Sequence, residues 1–363
     1  MENELNSVCP IFLKNTNQKM EQIGSGVLLR FENDIFLLTA GHVIDWMERG
    51  TLCIPCKDGI GKIVGYVSSI NAPMSIDRND DKLDFAYFKL DNDLVVNIHQ
   101  DFVPMTKDEC WVTDNLQEND IYSFSGFPLN KAKNRNGIFS SEFFSYSGTA
   151  VDTETYDSVG YSHETNIIVS FRRKKSVNME GKKLIPPLPR GISGGGVFRW
   201  PKNVSVGKQK LKRYLVGIGH TYLSEKNLLI GTKLDVVLKF MALRNPIVYS
   251  DARLNLSPVN EIPFFLGIAH YRRKEWELLK SQFDDSESMH DTWCEWREAA
   301  EIGIESMYKQ GKIMIPIDLP AKEIDEYCKK NKLPNISTSR IHLVNLKLAD
   351  LIKELEIIKK YNN

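Results

Sequence analysis

The stretch that decides the fold is residues 191–198, which read GISGGGVF. It sets one serine among glycines, directly before a short apolar run that favours a β-strand. Glycines there permit positive φ and let another chain approach the backbone without meeting a Cβ. A serine nucleophile needs a base, a carboxylate that orients the base, and backbone N–H groups aimed at the developing oxyanion. The segment therefore predicts Ser193 as a nucleophile, with the N–H groups of Gly191 and Ser193 as its oxyanion hole.

Two further motifs supply the base and the carboxylate. Residues 39–43 read TAGHV and follow an apolar strand, and residues 83–86 read LDFA and open another one. Each motif alone is weak, since a histidine after a strand or an aspartate at its start is common. Together they place His42, Asp84 and Ser193 in one order, at separations of 42 and 109 residues. This joint pattern predicts a catalytic triad.

Residues 1–245 resemble a trypsin-like (chymotrypsin-fold) serine protease of the bacterial intracellular type, whose triad has this order. The similarity lies in residues 24–43, 83–86, 191–197 and 215–218, and 233–243 lie where the family has a terminal helix. The resemblance implies two six-stranded β-barrels with the site in the cleft between them. It also implies that Asp84 orients His42 and that His42 is the base for Ser193. We expect no cofactor and no metal.

Three positions concern activation and specificity. Ile192 stands where secreted relatives carry the acidic residue that receives a newly freed N-terminus, so that ion-pair switch is absent. Pro187, six residues before the serine, stands where the family lines its primary specificity pocket. His220 follows the strand that walls this pocket, and we predict that it binds substrate by recognising an acidic or amide side chain; a loop histidine without function is the alternative.

The predicted fold class is an all-β double β-barrel followed by a smaller α-helical C-terminal domain. Short strands separated by turn residues fill residues 9–245. They begin with a hairpin of strands over 24–29 and 34–39, and a further strand is predicted over 62–68. From residue 271 the apolar spacing becomes helical, and Trp293, Trp296 and Met307 at that spacing predict a helical core. We therefore predict a protease domain over 1–250 and a helical domain over 255–363, regulatory or partner-binding.

Composition excludes several classes of protein. The 363 residues carry 47 basic and 47 acidic side chains, and this zero net charge argues against bulk binding of nucleic acid. No apolar run approaches the roughly 18 residues of a membrane-spanning helix. The N-terminus does not read as a secretory signal, and the six cysteines lie far apart, so we expect a cytoplasmic protein with reduced thiols.

Other interpretations of the motifs remain open. A trypsin-like barrel without turnover would serve as a protein-binding scaffold. The pattern GISGG also matches the nucleophile elbow of α/β-hydrolases, but the alternating strands and helices of that fold are missing before Ser193. Cys53 and Cys56 have the spacing of half a zinc site, although no second pair follows at a matching distance.

Charge is unevenly distributed along the chain. Residues 171–213 contain 13 basic and one acidic residue, whereas 80–120 contain 11 acidic and three basic residues. We favour two surfaces that offset each other, and the alternative is a basic rim that attracts acidic substrates. The predicted partners are a protein substrate and, through the C-terminal unit, a regulatory or effector protein. Neither a membrane nor nucleic acid is expected as a partner.

Overall fold

The structure is a computed structural model that describes residues 6–69, 81–110, 120–135, 138–177, 181–200, 213–242, 245, 248, 265–310 and 312–361. The chain divides into two compact units. The first holds the described residues up to Ser69 and from Lys82 to Met241. The second holds Asp81, Ala242 and the described residues beyond it. The predicted boundary between residues 250 and 255 lies outside the described residues.

A seven-stranded antiparallel sheet forms the N-terminal half of the first unit. Its strands are β1 (Val8–Asn15), β2 (Met20–Phe31), β3 (Asp34–Thr39), β4 (Gly50–Cys56), β5 (Gly59–Lys62), β6 (Gly65–Ser69) and β7 (Ala86–Leu90). Their spatial order is β5-β4-β1-β2-β3-β7-β6. Phe31 pairs with Asp34 across a two-residue turn in which Glu32 takes φ +49°, so the predicted hairpin is present. The sheet buries an aliphatic core that includes Ile11, Leu28 and Leu37.

A closed six-stranded barrel forms the other half of the first unit. It consists of β8 (Ile121–Gly126), β11 (Phe144–Ala150), β12 (Asn166–Ser170), β13 (Gly196–Arg199), β14 (Tyr214–Leu223) and β15 (Leu228–Lys233). A separate hairpin joins β9 (Lys133–Arg135) to β10 (Ile138–Ser140). Tyr122, Phe124 and Val197 lie in the barrel core. Among the described residues only this half closes, and the seven-stranded sheet forms a half-barrel, so the first unit resembles the predicted double barrel.

Short helices connect these strands. They are α1 (Gly41–Ile44), α2 (Asn92–Val95), α3 (Thr153–Val159) and α4 (Leu234–Ala242). The Asp152 side chain accepts a hydrogen bond from the N–H of Thr155 and caps α3. Gly160 ends that helix in the left-handed conformation, φ +69°. Helix α4 occupies most of the segment predicted as a terminal helix, and it is buried except at the half-buried Phe240.

The second unit contains both helices and strands. Its helices are α5 (Trp276–Gln282), α6 (Trp293–Lys309), α7 (Ala321–Asn331) and α8 (Ser337–Tyr361). Between them β16 (Phe265–His270) pairs in parallel with β17 (Ile313–Asp318). The expectation of a purely α-helical unit is therefore corrected. Strand β17 includes Pro316, which an edge strand tolerates because no N–H is needed at that position for pairing.

Aromatic side chains form the core of the second unit where α5 meets α6. The ring of Trp296 lies 5.0 Å from that of Tyr271 and 5.5 Å from that of Trp276. Thr292 and Glu295 form a capping box that fixes the start of α6. The helical spacing of these aromatic residues thus corresponds to packing inside the unit.

Candidate active site

His42 and Asp84 form a two-point contact. His42 lies in the first turn after β3, and Asp84 lies two residues before β7, the neighbouring strand. The backbone N–H of His42 donates to Asp84 Oδ1 at 2.8 Å, and His42 Nδ1 lies 2.5 Å from Asp84 Oδ2. One carboxylate therefore fixes both the backbone and the ring of the same histidine. This arrangement directs the other ring nitrogen, Nε2, away from Asp84.

Asp84 is held in its charged form. Burial by itself raises the pKa of this carboxyl, which is only 3% exposed. The hydrogen bond from His42 and the charges of His42 and His220 outweigh burial, so the pKa of Asp84 lies below its ordinary value. A buried carboxylate that stays ionised holds the imidazole in one tautomer and stabilises its protonated form.

The Ser193 loop, residues 191–195, is fixed by backbone hydrogen bonds. Ser193 O accepts from the N–H of Ser25 at 2.8 Å, and the N–H of Gly194 donates to Gly219 O at 2.7 Å. Gly191 and Gly194 take φ +92° and +85°, which side-chain-bearing residues rarely adopt. Ile192 is buried in the barrel core, so its side chain anchors the loop.

Two N–H groups of this loop point to no acceptor in the described structure. Gly194 and Gly195 donate to Gly219 and Ile192, but no described acceptor receives the N–H of Gly191 or of Ser193. These are the two groups that the sequence predicted for an oxyanion hole. Gly191 is buried and Ser193 is half-buried, so their N–H groups are donors that can receive an anionic oxygen.

The Ser193 hydroxyl donates to the carbonyl oxygen of His220 at 3.1 Å. Gly24 connects the Ser193 loop to the turn that carries His42. A Cβ built on Gly24 would lie 2.7 Å from the Val43 side chain and 3.3 Å from Ser193 O. Gly24 therefore lies between the residue after His42 and the candidate nucleophile. The structure brings His42 and Asp84 into direct contact, and it leaves the hydroxyl of Ser193 on a different acceptor.

His220 lies at a bulge in β14, between the paired residues Gly219 and Thr221. Its side chain is 6% exposed and stacks on Tyr161, and its Nδ1 lies 2.8 Å from Thr221 Oγ1. Its Nε2 has no hydrogen-bond partner in the described structure. Burial lowers the pKa of His220 to about 4, against the opposing effect of the Asp84 charge. His220 is therefore neutral at neutral pH.

We expect His220 to make folding stability depend on pH. An unfolded histidine keeps a pKa near 6.5, so between pH 6.5 and 4 the unfolded chain binds the extra proton. Stability should fall as pH drops through this window, by about 2 to 3 kcal/mol at pH 4.5 from this group. Urea unfolding at pH 7.5 and 4.5 measures it. His220→Gln should lose that part of the pH dependence, and the exposed-site control His163→Gln should keep it. Equal pH dependence in both variants would contradict the assignment.

Pro187 is half-buried in the segment that leads to the Ser193 loop, next to buried Pro186, whose carbonyl accepts from Arg173 Nε at 2.6 Å. That Pro187 and His220 contact substrate stays a prediction.

Sequence reasoning missed the role of Ser25. Its hydroxyl donates to Gly191 O at 2.9 Å and accepts from Phe127 N–H at 2.9 Å. Its position between two glycines inside a strand was the available signal.

The cysteine pair lies apart from this site. Cys53 and Cys56 are free thiols on β4, and burial raises the pKa of each. Among the described residues, no group of three or more His, Cys, Asp or Glu side chains is arranged to hold a metal ion. In the same part of the chain, no helix is both long and apolar enough to cross a membrane.

Several solved structures show distant similarity to this chain. No family model and no curated protein matches the sequence. A solved structure described as that of GrC is 16% identical, over 66% of this chain and 94% of that chain, with a TM-score of 0.40. A catalytically inactive tobacco etch virus protease complexed with substrate is 12% identical, over 63% of this chain and 78% of that chain, with a TM-score of 0.33. A structure concerned with the Sesbania mosaic virus VPg protein is 15% identical, over 65% of this chain and 89% of that chain, with a TM-score of 0.36. TM-scores this low assign no family.

Proposed function

We propose that this protein is a serine endopeptidase that cleaves a protein substrate through His42, Asp84 and Ser193. The observation that carries the proposal is the double contact of Asp84 with His42, on the backbone N–H and on Nδ1. A carboxylate that is hydrogen-bonded to a histidine at these two points orients it as a base. The open N–H groups of Gly191 and Ser193 support the same function, because acyl transfer develops a negative oxygen beside the nucleophile.

The proposed reaction begins when the Ser193 hydroxyl turns from His220 O toward His42 Nε2. Ser193 Oγ then attacks the substrate carbonyl carbon while its proton passes to Nε2, and Asp84 stabilises the imidazolium. The N–H groups of Gly191 and Ser193 stabilise the oxyanion. The C–N bond breaks as the leaving amine takes the proton, and water then hydrolyses the acyl-enzyme by the same steps. The reaction needs no group besides these side chains, the backbone and water.

One observation favours the alternative of a binding scaffold without turnover. The hydrogen bond from Ser193 to His220 O holds the hydroxyl on an acceptor other than the base. A fluorophosphonate probe separates the two functions, because it labels only an activated serine. Labelling of the full chain that disappears in both Ser193→Ala and His42→Ala supports the endopeptidase. Mapping of new protein N-termini in cells that express either the natural chain or Ser193→Ala would then identify the substrate, including any effector that cleavage activates.

We further propose that the second unit regulates the protease or recruits its substrate. The supporting feature is Asp81, which belongs to the second unit and is buried there. Tyr308 of α6 donates a hydrogen bond to Asp81 Oδ1. We call the Tyr308–Asp81 hydrogen bond the anchor. The chain passes from the second unit to the first between Asp81 and Lys82, so Asp81 lies three residues before Asp84. A change at α6 would therefore reach the catalytic carboxylate along a short covalent path.

Tyr308→Phe tests this link in the full-length chain. It removes a buried hydrogen bond to a carboxylate, so stability should fall by about 1.5 to 3 kcal/mol. If the anchor controls Asp84, turnover of a small peptide should change several-fold below the unfolding temperature. Tyr327→Phe is the matched control, because it removes a hydrogen bond to His342 within the same unit. Equal activity of both variants on a peptide and on the protein substrate would contradict regulation through this anchor. A 1–250 truncation is less decisive, because it keeps Asp81 and Ala242, which belong to the second unit.

A further inference from the structure

A basic, partly apolar strap precedes the Ser193 loop. We use this name for the described residues 172–177 and 181–190. Backbone contacts order the strap. Val177 forms an antiparallel β-bridge with Lys183, and the N–H of Leu184 donates to Ser176 O at 3.0 Å. Its end is fixed where the N–H of Leu129 donates to Arg190 O at 2.8 Å. Since Arg190 is three residues from Ser193, the end of the strap leads directly into the loop of the candidate nucleophile.

The strap carries one sign of charge. Its described residues include seven basic and no acidic side chains. Six of the seven are exposed: Arg172, Lys174, Lys175, Lys182, Lys183 and Arg190. In the described part of the chain, no carboxylate pairs with Lys174, Lys175 or Lys183, whereas exposed lysines elsewhere, such as Lys329, do have acidic partners. The surface therefore attracts acidic groups from outside the chain.

The strap also exposes large aliphatic side chains. Val177 and Ile185 are each 60% exposed, and Leu184 and Leu188 are each 40% exposed. Four such residues within one short segment are more than the scattered exposure that is normal on a monomer. Proteins that bind single-stranded nucleic acid stack its bases on aromatic rings, and the strap has none. Aliphatic groups among basic ones fit a polypeptide instead.

We propose that the strap binds an acidic segment of the protein substrate that also carries aliphatic side chains and lies beside the bond to be cleaved. This inference rests on the proposed endopeptidase function and names its substrate class. Basic side chains speed the encounter and favour acidic segments over basic ones, and their effect weakens with salt. The aliphatic side chains bury apolar surface of the bound segment and supply affinity that salt does not screen.

The test measures binding rather than cleavage, so it does not depend on turnover. The full-length Ser193→Ala protein is titrated against a fluorescent 12-residue peptide of alternating glutamate and leucine, and anisotropy is recorded. A peptide with glutamine in place of glutamate and a 12-nucleotide single-stranded DNA are the comparison probes. We expect the acidic peptide to bind best and to weaken as salt increases. Lys174→Glu with Lys175→Glu should weaken it about tenfold, and Ile185→Ser should weaken it at every salt concentration.

The matched control reverses two exposed lysines on the first sheet, Lys19→Glu with Lys62→Glu, and should leave binding unchanged. The proposal is overturned by absence of binding to the acidic peptide, by equal binding of both double variants, or by tighter binding of the DNA, which would indicate a nucleic-acid surface. Fluorophosphonate labelling of the natural chain keeps the two proposals separate. Labelling without peptide binding removes only the strap proposal, and peptide binding without labelling removes only the endopeptidase.

Discussion

Ser193→Ala is expected to lower peptide-bond cleavage by about 10⁶-fold, the loss typical when a triad loses its nucleophile. His42→Ala should cost about as much, and the double variant should lose little more, because the two side chains act in one proton transfer. The remaining rate should reflect the N–H groups of Gly191 and Ser193, which neither substitution removes. Turnover is measured on the protein substrate found by N-terminal mapping, under conditions where each variant is folded.

Asp84→Asn extends the same prediction to the carboxylate. Asparagine can present its amide to His42 Nδ1, which favours the wrong tautomer of the ring. The expected loss is about 10⁴-fold in kcat, smaller than that for Ser193→Ala. Controls that remove a serine and a histidine elsewhere in the same unit are Ser158→Ala and His163→Ala, both exposed. Ser193→Ala with the turnover of the natural chain, or clearly additive losses for Ser193 and His42, would show that the three residues are not one catalytic unit.

Local patterns in the sequence predicted much of the first unit. Strand β3 has the predicted bounds, Asp34–Thr39, because a compact apolar run between a polar turn and TAGHV specifies a buried strand. The predicted strand over 62–68 is instead divided between β5 and β6, since Gly65 at φ +144° breaks the run. That glycine cannot be replaced without its Cβ lying 3.0 Å from Leu90 Cα. Such close backbone approaches are not visible in a hydrophobicity pattern.

Long-range pairing accounts for what the sequence did not predict. Strand β16 pairs with β17, whose residues lie 48 positions further along the chain, and neither strand has a strong pattern of its own. The site shows the same division. Motifs predicted which residues supply the acid, the base and the nucleophile, but the acceptor of the Ser193 hydroxyl depends on the bulge at His220 in β14. A bulge is set by the register of two strands, which a local motif does not encode.

Gly194→Ala is the second substitution for which we expect a large effect. A Cβ at Gly194 would overlap Ser25 O and the hydroxyl of Thr39, and it would lie 2.8 Å from the N–H nitrogen of Ala40. Two of these atoms belong to the backbone, so a side-chain rotation cannot relieve the overlap. The Ser193 loop must move, which displaces the proposed nucleophile and the N–H groups beside it. Loss of one oxyanion donor costs about 10²- to 10³-fold in kcat, and we expect at least this loss.

Gly160→Ala separates this collision from backbone strain. Gly160 also has positive φ, +69°, but nothing lies within 4 Å of its Cβ position. Its replacement should cost about 1 kcal/mol of stability from the left-handed conformation alone and leave turnover unchanged. Urea unfolding and peptide turnover of both variants give the comparison. If Gly194→Ala keeps full turnover, catalysis does not depend on close packing of the Ser193 loop against β2 and β3. Equal losses of turnover in the two variants would mean that backbone strain, and not the position of Ser193, accounts for the effect. Only a loss of turnover specific to Gly194→Ala supports a rigid oxyanion site.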